Sequence, residues 1–272
     1  MASSDTINAT GNATGNATGK EAARISALYR YPVKGLTPEK LDSAALAVGA
    51  TMPSDRAFAI ENGPGRFDPE NPRHLSKINF LMLMRDERLA TLTTRFDDAT
   101  QTLTILRDGK QVARGQLSTP IGRQMIEQFF AAYMKDELRG APHIVQAEGH
   151  SFSDKREKCL HIVNLASVRD LERVARQAVD PLRFRANIYV DGLPAWAEFQ
   201  WIDKTLSIGA VKLPVFARTS RCLATNVDPA SGARDMAIPA VLQRNWGHGD
   251  FGVYATVATA GTIKPGDSMT IA

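Results

Sequence analysis

Along most of the chain, apolar and polar residues alternate in short runs, which is the pattern of half-buried β-strands. Early examples are "ARISALYRYPV" at residues 23–33 and "RAFAIEN" at residues 56–62. Asp108-Gly109 lies between two β-prone runs, "TLTILR" and "KQVARGQL", and this arrangement is the strongest short-range signal for a hairpin. The first 118 residues are therefore predicted to be mostly antiparallel β-structure.

The apolar period becomes helical in three later segments. Residues 118–138 contain a capping residue, Thr119, followed by a proline at the first helical position. Apolar residues recur there every four positions and predict one buried face, made of Ile121, Met125, Phe129 and Tyr133. Residues 165–177 are predicted to form a second amphipathic helix, and residues 238–246 a short third one.

Strands return between and after these helices, including "FRANIYVDG" at residues 184–192 and a hairpin around Gly209. Many short strands with only a few helices predict a mainly β fold of the α+β class, built as a barrel or sandwich with added helices. The regular alternation of strands and helices that a doubly wound sheet requires is missing. A length of 272 residues allows one large or two modest domains.

The N-terminal segment has a different composition from the rest. "NATGNATGNATG" at residues 8–19 repeats a four-residue unit that contains a glycosylation sequon. Asn, Ala, Thr and Gly bury too little surface to offset ordering entropy, so residues 1–21 are predicted to be a disordered tail. Neither a signal peptide nor an apolar run of membrane-spanning length is expected. Two cysteines permit at most one disulfide, which favours a reducing, cytoplasmic location.

Charge and motif spacing exclude several function classes. The net charge is +4 and the basic residues are scattered, so no nucleic-acid partner is expected. "GHGDFG" at residues 247–252 fits a dinucleotide-binding pattern, but a predicted helix precedes it and a strand follows it, which indicates a tight loop. The five histidines show no metal-ligand spacing, and no G-x-S-x-G motif is present.

The two cysteines lie in different surroundings. Cys159 lies in an apolar run, which is typical of a buried structural thiol. Cys222 has Arg218 and Arg221 close by in "RTSRCLATNVDP", and guanidinium groups favour the thiolate, the form that attacks electrophiles and binds soft metals. The residues alone leave both an inert thiol and a functional thiolate open for Cys222.

Six segments carry a resemblance to a known family: "YPVKG", "SDRAF", "FSDKREKCLHIVNLASVRDLE", "LRFRANIYVDG", "RTSRCLATNVDP" and "GTIKPGD". In this order they resemble the motifs of MOSC-domain proteins, which are named for the C-terminal domain of molybdenum cofactor sulfurase. The resemblance covers about residues 22–272. It implies an N-terminal, β-barrel-like MOSC-associated domain at residues 22–145 and a β-barrel MOSC domain at residues 146–272.

The same resemblance implies a molybdenum cofactor of the molybdopterin type and a set of site residues. Cys222, followed by Asp228-Pro229, matches the family position whose thiolate ligates molybdenum. The positions assigned to cofactor binding are Lys34, Arg56, Ser153, Ser167, Arg185, Asn187, Ser220 and Arg221. Ala186 stands where proline is common in the family. Two roles stay open for Asp228, proton delivery in catalysis or shaping of the turn before Pro229.

The implied activity is that of an oxidoreductase that reduces small N-hydroxylated or N-oxide substrates. The cofactor's phosphate explains a need for guanidinium and ammonium donors, and one protein thiolate suits a soft metal. An iron–sulfur cluster needs four ligands, usually clustered cysteines, so electrons are expected from a separate donor protein. The alternative is a module that carries the molybdenum cofactor or sulfur without turning over a substrate.

Overall fold

A computed structural model describes residues 23–272, and the tail predicted for residues 1–21 lies outside the described residues. The strands are β1 Arg24–Arg30, β2 Glu39–Leu41, β3 Ala44–Leu46, β4 Ala59–Asn62, β5 Leu92–Asp97, β6 Thr102–Arg107, β7 Lys110–Gln116, β8 Pro142–Val145, β9 Leu160–Asn164, β10 Ile188–Asp191, β11 Thr205–Ile208, β12 Val211–Ser220, β13 Asp250–Ala255, β14 Gly261–Ile263 and β15 Thr270–Ile271. The helices are α1 Pro120–Tyr133, α2 Leu165–Ala175 and α3 Ile238–Trp246. Single turns of 3₁₀ helix occur at Lys77–Asn79, Glu87–Thr91, Pro181–Phe184, Ala197–Trp201 and Leu223–Asn226.

The largest sheet has eight strands in the order β15-β11-β12-β13-β9-β10-β1-β2. Neighbouring strands are antiparallel except β9 and β10, which run parallel and are joined through α2. β1 pairs with β10, placing Leu28 opposite Ile188, so strands from both sides of residue 145 share one sheet and one apolar core. The division of the chain at residue 145 stays a prediction.

The α+β class predicted from the alternating pattern is confirmed. Residues just before β15 bond to the start of β1, since the Ile25 N–H donates to the Asp267 carbonyl at 3.0 Å and the Met269 N–H to the Ala23 carbonyl at 2.7 Å. In the pairing of the named strands, the edges of the sheet are β15 and β2. These edge strands are two and three residues long.

The N-terminal half contains a meander, β5-β6-β7, with α1 packed on it. Asp108 and Gly109 both have positive φ, 52° and 74°, as the predicted two-residue hairpin turn requires. Thr119 caps α1 as predicted, its hydroxyl accepting the Gly122 N–H at 3.1 Å. Within residues 23–272, no helix combines the length and apolar character that a membrane span needs.

The predicted buried face of α1 is wrong for Ile121 and Met125, whereas Phe129 and Tyr133 are half-buried against the core. The buried positions are Gly122, Ile126 and Phe130, whereas Ile121 and Met125 are 73% and 51% exposed. The reason is a close backbone approach between α1 and β7, since a Cβ added to Gly122 would lie 2.1 Å from the carbonyl oxygen of Gln116 on that strand. Only glycine permits this contact, and it fixes the rotation of the helix.

Candidate functional site

A cavity of about 310 Å³ lies where the two halves of the chain meet. Eight of the ten predicted site residues line it: Lys34, Arg56, Ser153, Arg185, Asn187, Ser220, Arg221 and Cys222. They come from the loop after β1, the loop before β4, the segment before β9, the turn before β10 and the end of β12. The fold thus gathers residues that are far apart in sequence.

Cys222 lies at the start of the 3₁₀ turn Leu223–Asn226 and is partly exposed. Its carbonyl accepts hydrogen bonds from the N–H and hydroxyl of Thr225, at 3.1 and 3.0 Å, and the residue lines the cavity. Cys159 lines the same cavity but is only 5% exposed, and burial raises the pKa of its thiol to about 12. The buried thiol predicted for Cys159 is confirmed, whereas Cys222 is partly exposed.

Arg183 holds the segment that follows Cys222. Its side chain is buried and donates to the carbonyls of Thr225 and Asn226, at 3.5 and 3.2 Å. It also pairs with Asp228 and Asp235, at 3.2 and 2.8 Å. Because one guanidinium group contacts four residues of the loop after β12, the backbone that carries Cys222 has little freedom to move.

Arg56 enters the cavity from the loop before β4 and is paired with the buried carboxylate of Asp55. Burial opposes its charged form, but Asp55 and Tyr31 raise the pKa of Arg56 above its ordinary value. A second nitrogen of the Arg56 guanidinium donates to the carbonyl of Arg185 at 3.1 Å. Arg56 therefore links the N-terminal half to the turn before β10.

Arg56 and Arg185 share an unusual backbone conformation. Both have φ of 52°, a left-handed conformation that residues with a side chain rarely adopt. Each costs on the order of 1 kcal/mol and persists only where neighbouring structure holds it. The Arg56 N–H donates to the carbonyl of Tyr31 at 2.7 Å, and the Arg185 N–H to that of Leu182 at 3.0 Å. The two side chains are thus aimed at the cavity at an energetic cost.

Lys34 is a buried ammonium group at the cavity wall. It donates to the carbonyl of Phe152 at 2.8 Å and to the carboxylate of Asp154 at 2.5 Å. Burial lowers the pKa of Lys34, and Asp154 partly offsets this effect. The Asp154 carboxylate also lies 3.5 Å from the ammonium of Lys77. Burial disfavours the charged form of Lys77, but Asp154 and Cys222 stabilise it, so the pKa of Lys77 is raised.

Two neutral predicted residues, Ser153 and Asn187, have side-chain partners within the protein. Ser153 donates to the carbonyl of Lys155 at 2.7 Å. The Asn187 side chain accepts from the His161 N–H at 3.1 Å and donates to the Tyr29 carbonyl at 3.3 Å, so that it connects β1 with β9. These groups shape the cavity wall, whereas the charged groups carry its electrostatics.

The cavity has a marked excess of positive charge. Seven lysine and arginine side chains line it against two aspartates. Two buried guanidinium nitrogens in this wall, Arg185 Nη2 and Arg221 Nε, have no hydrogen-bond partner among the described residues. Arg221 is otherwise held by one bond, from its Nη2 to the Phe184 carbonyl at 2.9 Å. Unpaired buried donors beside an excess of cations are typical of an anion-binding site.

Ser167 and Asp228 do not line the cavity. Ser167 is fully buried in the first turn of α2, where its hydroxyl donates to the Glu198 carboxylate at 2.7 Å and accepts the Trp196 N–H at 2.8 Å. One oxygen of Asp228 accepts the N–H groups of Ala230 and Ser231, and its carboxylate pairs with Arg183. Asp228 therefore bonds within the turn that contains Pro229, and Ser167 belongs to an internal polar network with Glu198.

Several residues that line the cavity are not predicted from the sequence. Lys77, Asp154 and Tyr254 line the cavity, yet none is flagged by spacing or composition. His161 is buried with its Nε2 3.3 Å from the Phe251 carbonyl, and it also lines the cavity. Burial lowers its pKa well below the ordinary value, so the ring is neutral.

The described residues contain no group of three or more His, Cys, Asp or Glu side chains arranged to hold a metal ion. Cys222 is accordingly a single candidate ligand beside a cationic wall.

Two family models match the chain in sequence. The model of the MOSC domain matches residues 147–270, and that of the MOSC N-terminal beta barrel domain matches residues 22–137. The chain is a MOSC-domain protein. The cavity of this MOSC-domain protein lies where the two matched regions meet, and each region contributes cations to its wall.

Curated relatives match only part of the protein. The mitochondrial amidoxime-reducing component 1 of Homo sapiens is 32% identical over 120 residues, covering 40% of this chain and 35% of the human protein. Molybdenum cofactor sulfurase of Caenorhabditis elegans is 36% identical over 97 residues, covering 34% of this chain and 13% of that protein. Among solved structures, the YuaD protein from Bacillus subtilis aligns over 92% of this chain and 95% of its own, with 12% identity and a TM-score of 0.43.

Proposed function

We propose that this MOSC-domain protein binds a molybdenum cofactor of the molybdopterin type in the cavity and reduces N-hydroxylated or N-oxide substrates. Electrons would come from a separate donor protein. The observation that carries the proposal is the joint presence of an accessible thiol, Cys222, and unpaired buried guanidinium nitrogens in one cationic cavity. The similarity to amidoxime-reducing components supports the choice of N-oxygenated substrates.

The residues present fit a group that carries both a phosphate and a soft metal. Arg185 Nη2 and Arg221 Nε are donors without a partner within the described residues, and a phosphate offers several acceptor oxygens. Cys222 offers one sulfur ligand, which a soft metal prefers. When bound, the cofactor supplies the redox chemistry, and the protein supplies binding, orientation and electrostatics.

The protein's own groups divide this work. Arg185 and Arg221 would neutralise and orient the phosphate through their guanidinium N–H groups. Arg183 fixes the loop that presents Cys222, so the sulfur is held in place before anything binds. Such preorganisation reduces the entropy that binding would otherwise cost.

The metal-ligand assignment is tested by measuring molybdenum in purified protein. We expect about one molybdenum per chain in the wild type and a loss of roughly tenfold or more in Cys222→Ser, since a hydroxyl is a poor ligand for a soft metal. Cys159→Ser is the matched control, because it removes the other thiol of the same cavity and is expected to retain the metal. Equal metal content in the wild type and Cys222→Ser would refute the assignment.

A second candidate function is a carrier of the molybdenum cofactor or of sulfur without substrate turnover. The match to molybdenum cofactor sulfurase favours it. Assaying benzamidoxime reduction with a chemical electron donor separates the two candidates. Reduction that disappears in Cys222→Ser supports the reductase, whereas bound metal without reduction of several N-hydroxylated substrates supports the carrier. The cytoplasmic location stays a prediction drawn from the two free cysteines.

A further inference from the structure

Tyr31 lies beneath two of the cations that face the cavity, although it is not itself part of the cavity wall. Its side chain is 0% exposed. The guanidinium carbon of Arg185 lies 4.2 Å from the centre of the Tyr31 ring, and that of Arg56 lies 4.7 Å from it. Both distances fall within the range in which an aromatic ring attracts a cation, so one ring contacts two guanidinium groups.

The backbone of Tyr31 is bonded to the loop that carries one of these arginines. Its N–H donates to the Asp55 carboxylate at 2.8 Å, and its carbonyl accepts the Arg56 N–H at 2.7 Å. Its hydroxyl donates to the carbonyl of Ala186, next to Arg185, at 3.4 Å. Tyr31 is therefore attached to both of the segments that hold an arginine in the left-handed conformation.

We propose that Tyr31 is a positioning residue that holds Arg56 and Arg185 together at the spacing needed to bind a phosphate-bearing anion. Two guanidinium groups repel each other, and the ring face stabilises both in the absence of a ligand. Arg185 lines the cavity, and its Nη2 is buried without a hydrogen-bond partner among the described residues. This inference rests on the proposed function, because it requires the cavity to bind an anion.

The binding test uses inorganic pyrophosphate as the probe and calorimetric titration of the cofactor-free protein. We expect pyrophosphate to bind about tenfold more weakly to Tyr31→Leu than to the wild type, because two cation–π contacts are lost. Tyr31→Phe keeps the ring and removes only the hydroxyl, so its affinity is expected within about twofold of the wild type. Tyr31→Met, whose flexible side chain fills irregular space, serves if Tyr31→Leu does not fold.

A matched control separates positioning from general loss of stability. Phe130→Leu removes an equally buried ring from the core beneath α1, away from the cavity. We expect it to lower the unfolding midpoint while leaving pyrophosphate affinity unchanged. If Phe130→Leu weakened binding as much as Tyr31→Leu at a similar midpoint, the proposal would be overturned.

A spectroscopic measurement does not depend on any variant folding. In the wild type, the guanidinium protons of Arg56 and Arg185 are expected to resonate upfield of those of exposed arginines, because they lie over the Tyr31 ring. Signals at the ordinary position would overturn the proposal. Failure of the wild type to bind pyrophosphate would overturn the proposed function and the role of Tyr31 together. Unchanged affinity in Tyr31→Leu would overturn the role of Tyr31 alone.

Discussion

At the scale of single residues, two buried donors in the cavity wall would gain hydrogen bonds when an anion binds. Arg185 Nη2 and Arg221 Nε are buried and have no hydrogen-bond partner among residues 23–272. A buried polar group left without a partner costs about 1–3 kcal/mol. A ligand that accepts these bonds removes the cost and binds only the folded state, so it stabilises the protein.

Asp154 is the counter-ion of the cationic wall, and its titration should appear in the stability of the protein. Burial alone would raise its pKa, but Lys34 and Lys77 more than offset this and hold the pKa well below 3.8. The folded state therefore binds this proton less tightly than the unfolded chain does. The carboxylate's contribution is fully present above pH 3.8 and is lost as the pH falls through the folded-state pKa.

We expect Asp154→Asn to lower the free energy of unfolding at pH 7 by about 1 kcal/mol, a value kept small because water screens a half-exposed carboxylate. Urea unfolding between pH 7 and pH 3 measures the difference between wild type and variant. This difference should shrink as the pH falls below 3.8. A difference that stays constant or grows toward acid pH would contradict the assignment of Asp154.

At the scale of elements, α1 offers a test of how glycine sets helix rotation. Its contact with β7 at Gly122 turns Ile126 into the core and leaves Ile121 in solvent. We expect Ile126→Ala to cost about 3 kcal/mol of unfolding free energy, the usual range for a buried isoleucine. Ile121→Ala removes the same atoms from an exposed position and should change stability by less than about 0.5 kcal/mol.

The two substitutions are compared by urea unfolding in parallel, with unchanged slopes as the check that both remain two-state. Equal losses at positions 121 and 126 would show that the helix is rotated differently from the structure described here.

The same elements show what the sequence can and cannot predict. Strand alternation, the Asp108-Gly109 hairpin and the Thr119 cap depend on neighbours in sequence, and all of them are present. The buried face of α1 depends on a backbone approach to another element, and a four-residue period cannot distinguish adjacent faces by itself. Tertiary contact therefore decided the rotation that the pattern left ambiguous.

The residues of the candidate site also differ in how well the sequence predicts them. Short motifs identify Arg56, Arg185 and Cys222 because each lies within a contiguous signature. Lys77 lies far from Cys222 in the chain, in a short 3₁₀ turn without an apolar period, and nothing local predicts their proximity. Ser167 and Asp228 lie within signatures too, yet the Ser167 hydroxyl bonds to Glu198 and the Asp228 carboxylate bonds within its own turn. Motif membership places a residue near a site but does not fix where its side chain points.

At the scale of the molecule, the two halves are joined by a shared sheet and by the polar contacts of the cavity. We therefore expect one cooperative unfolding transition. All three tryptophans lie after residue 195, so tryptophan fluorescence reports on the C-terminal half, whereas far-ultraviolet circular dichroism reports on both. The two urea curves should coincide. Separate midpoints would show that the halves unfold independently.

The concentration of charge in the cavity has a consequence for selectivity. The whole chain carries a formal charge of +4, which is smaller than the cationic excess of the cavity wall, so the remaining charges nearly cancel. Beyond the screening length of about 8 Å at physiological salt, an approaching anion meets an almost neutral body. Selection among anions then depends on direct contact within the cavity. There, the fixed directions of the guanidinium N–H groups favour anions with phosphate-like geometry over other anions of equal charge.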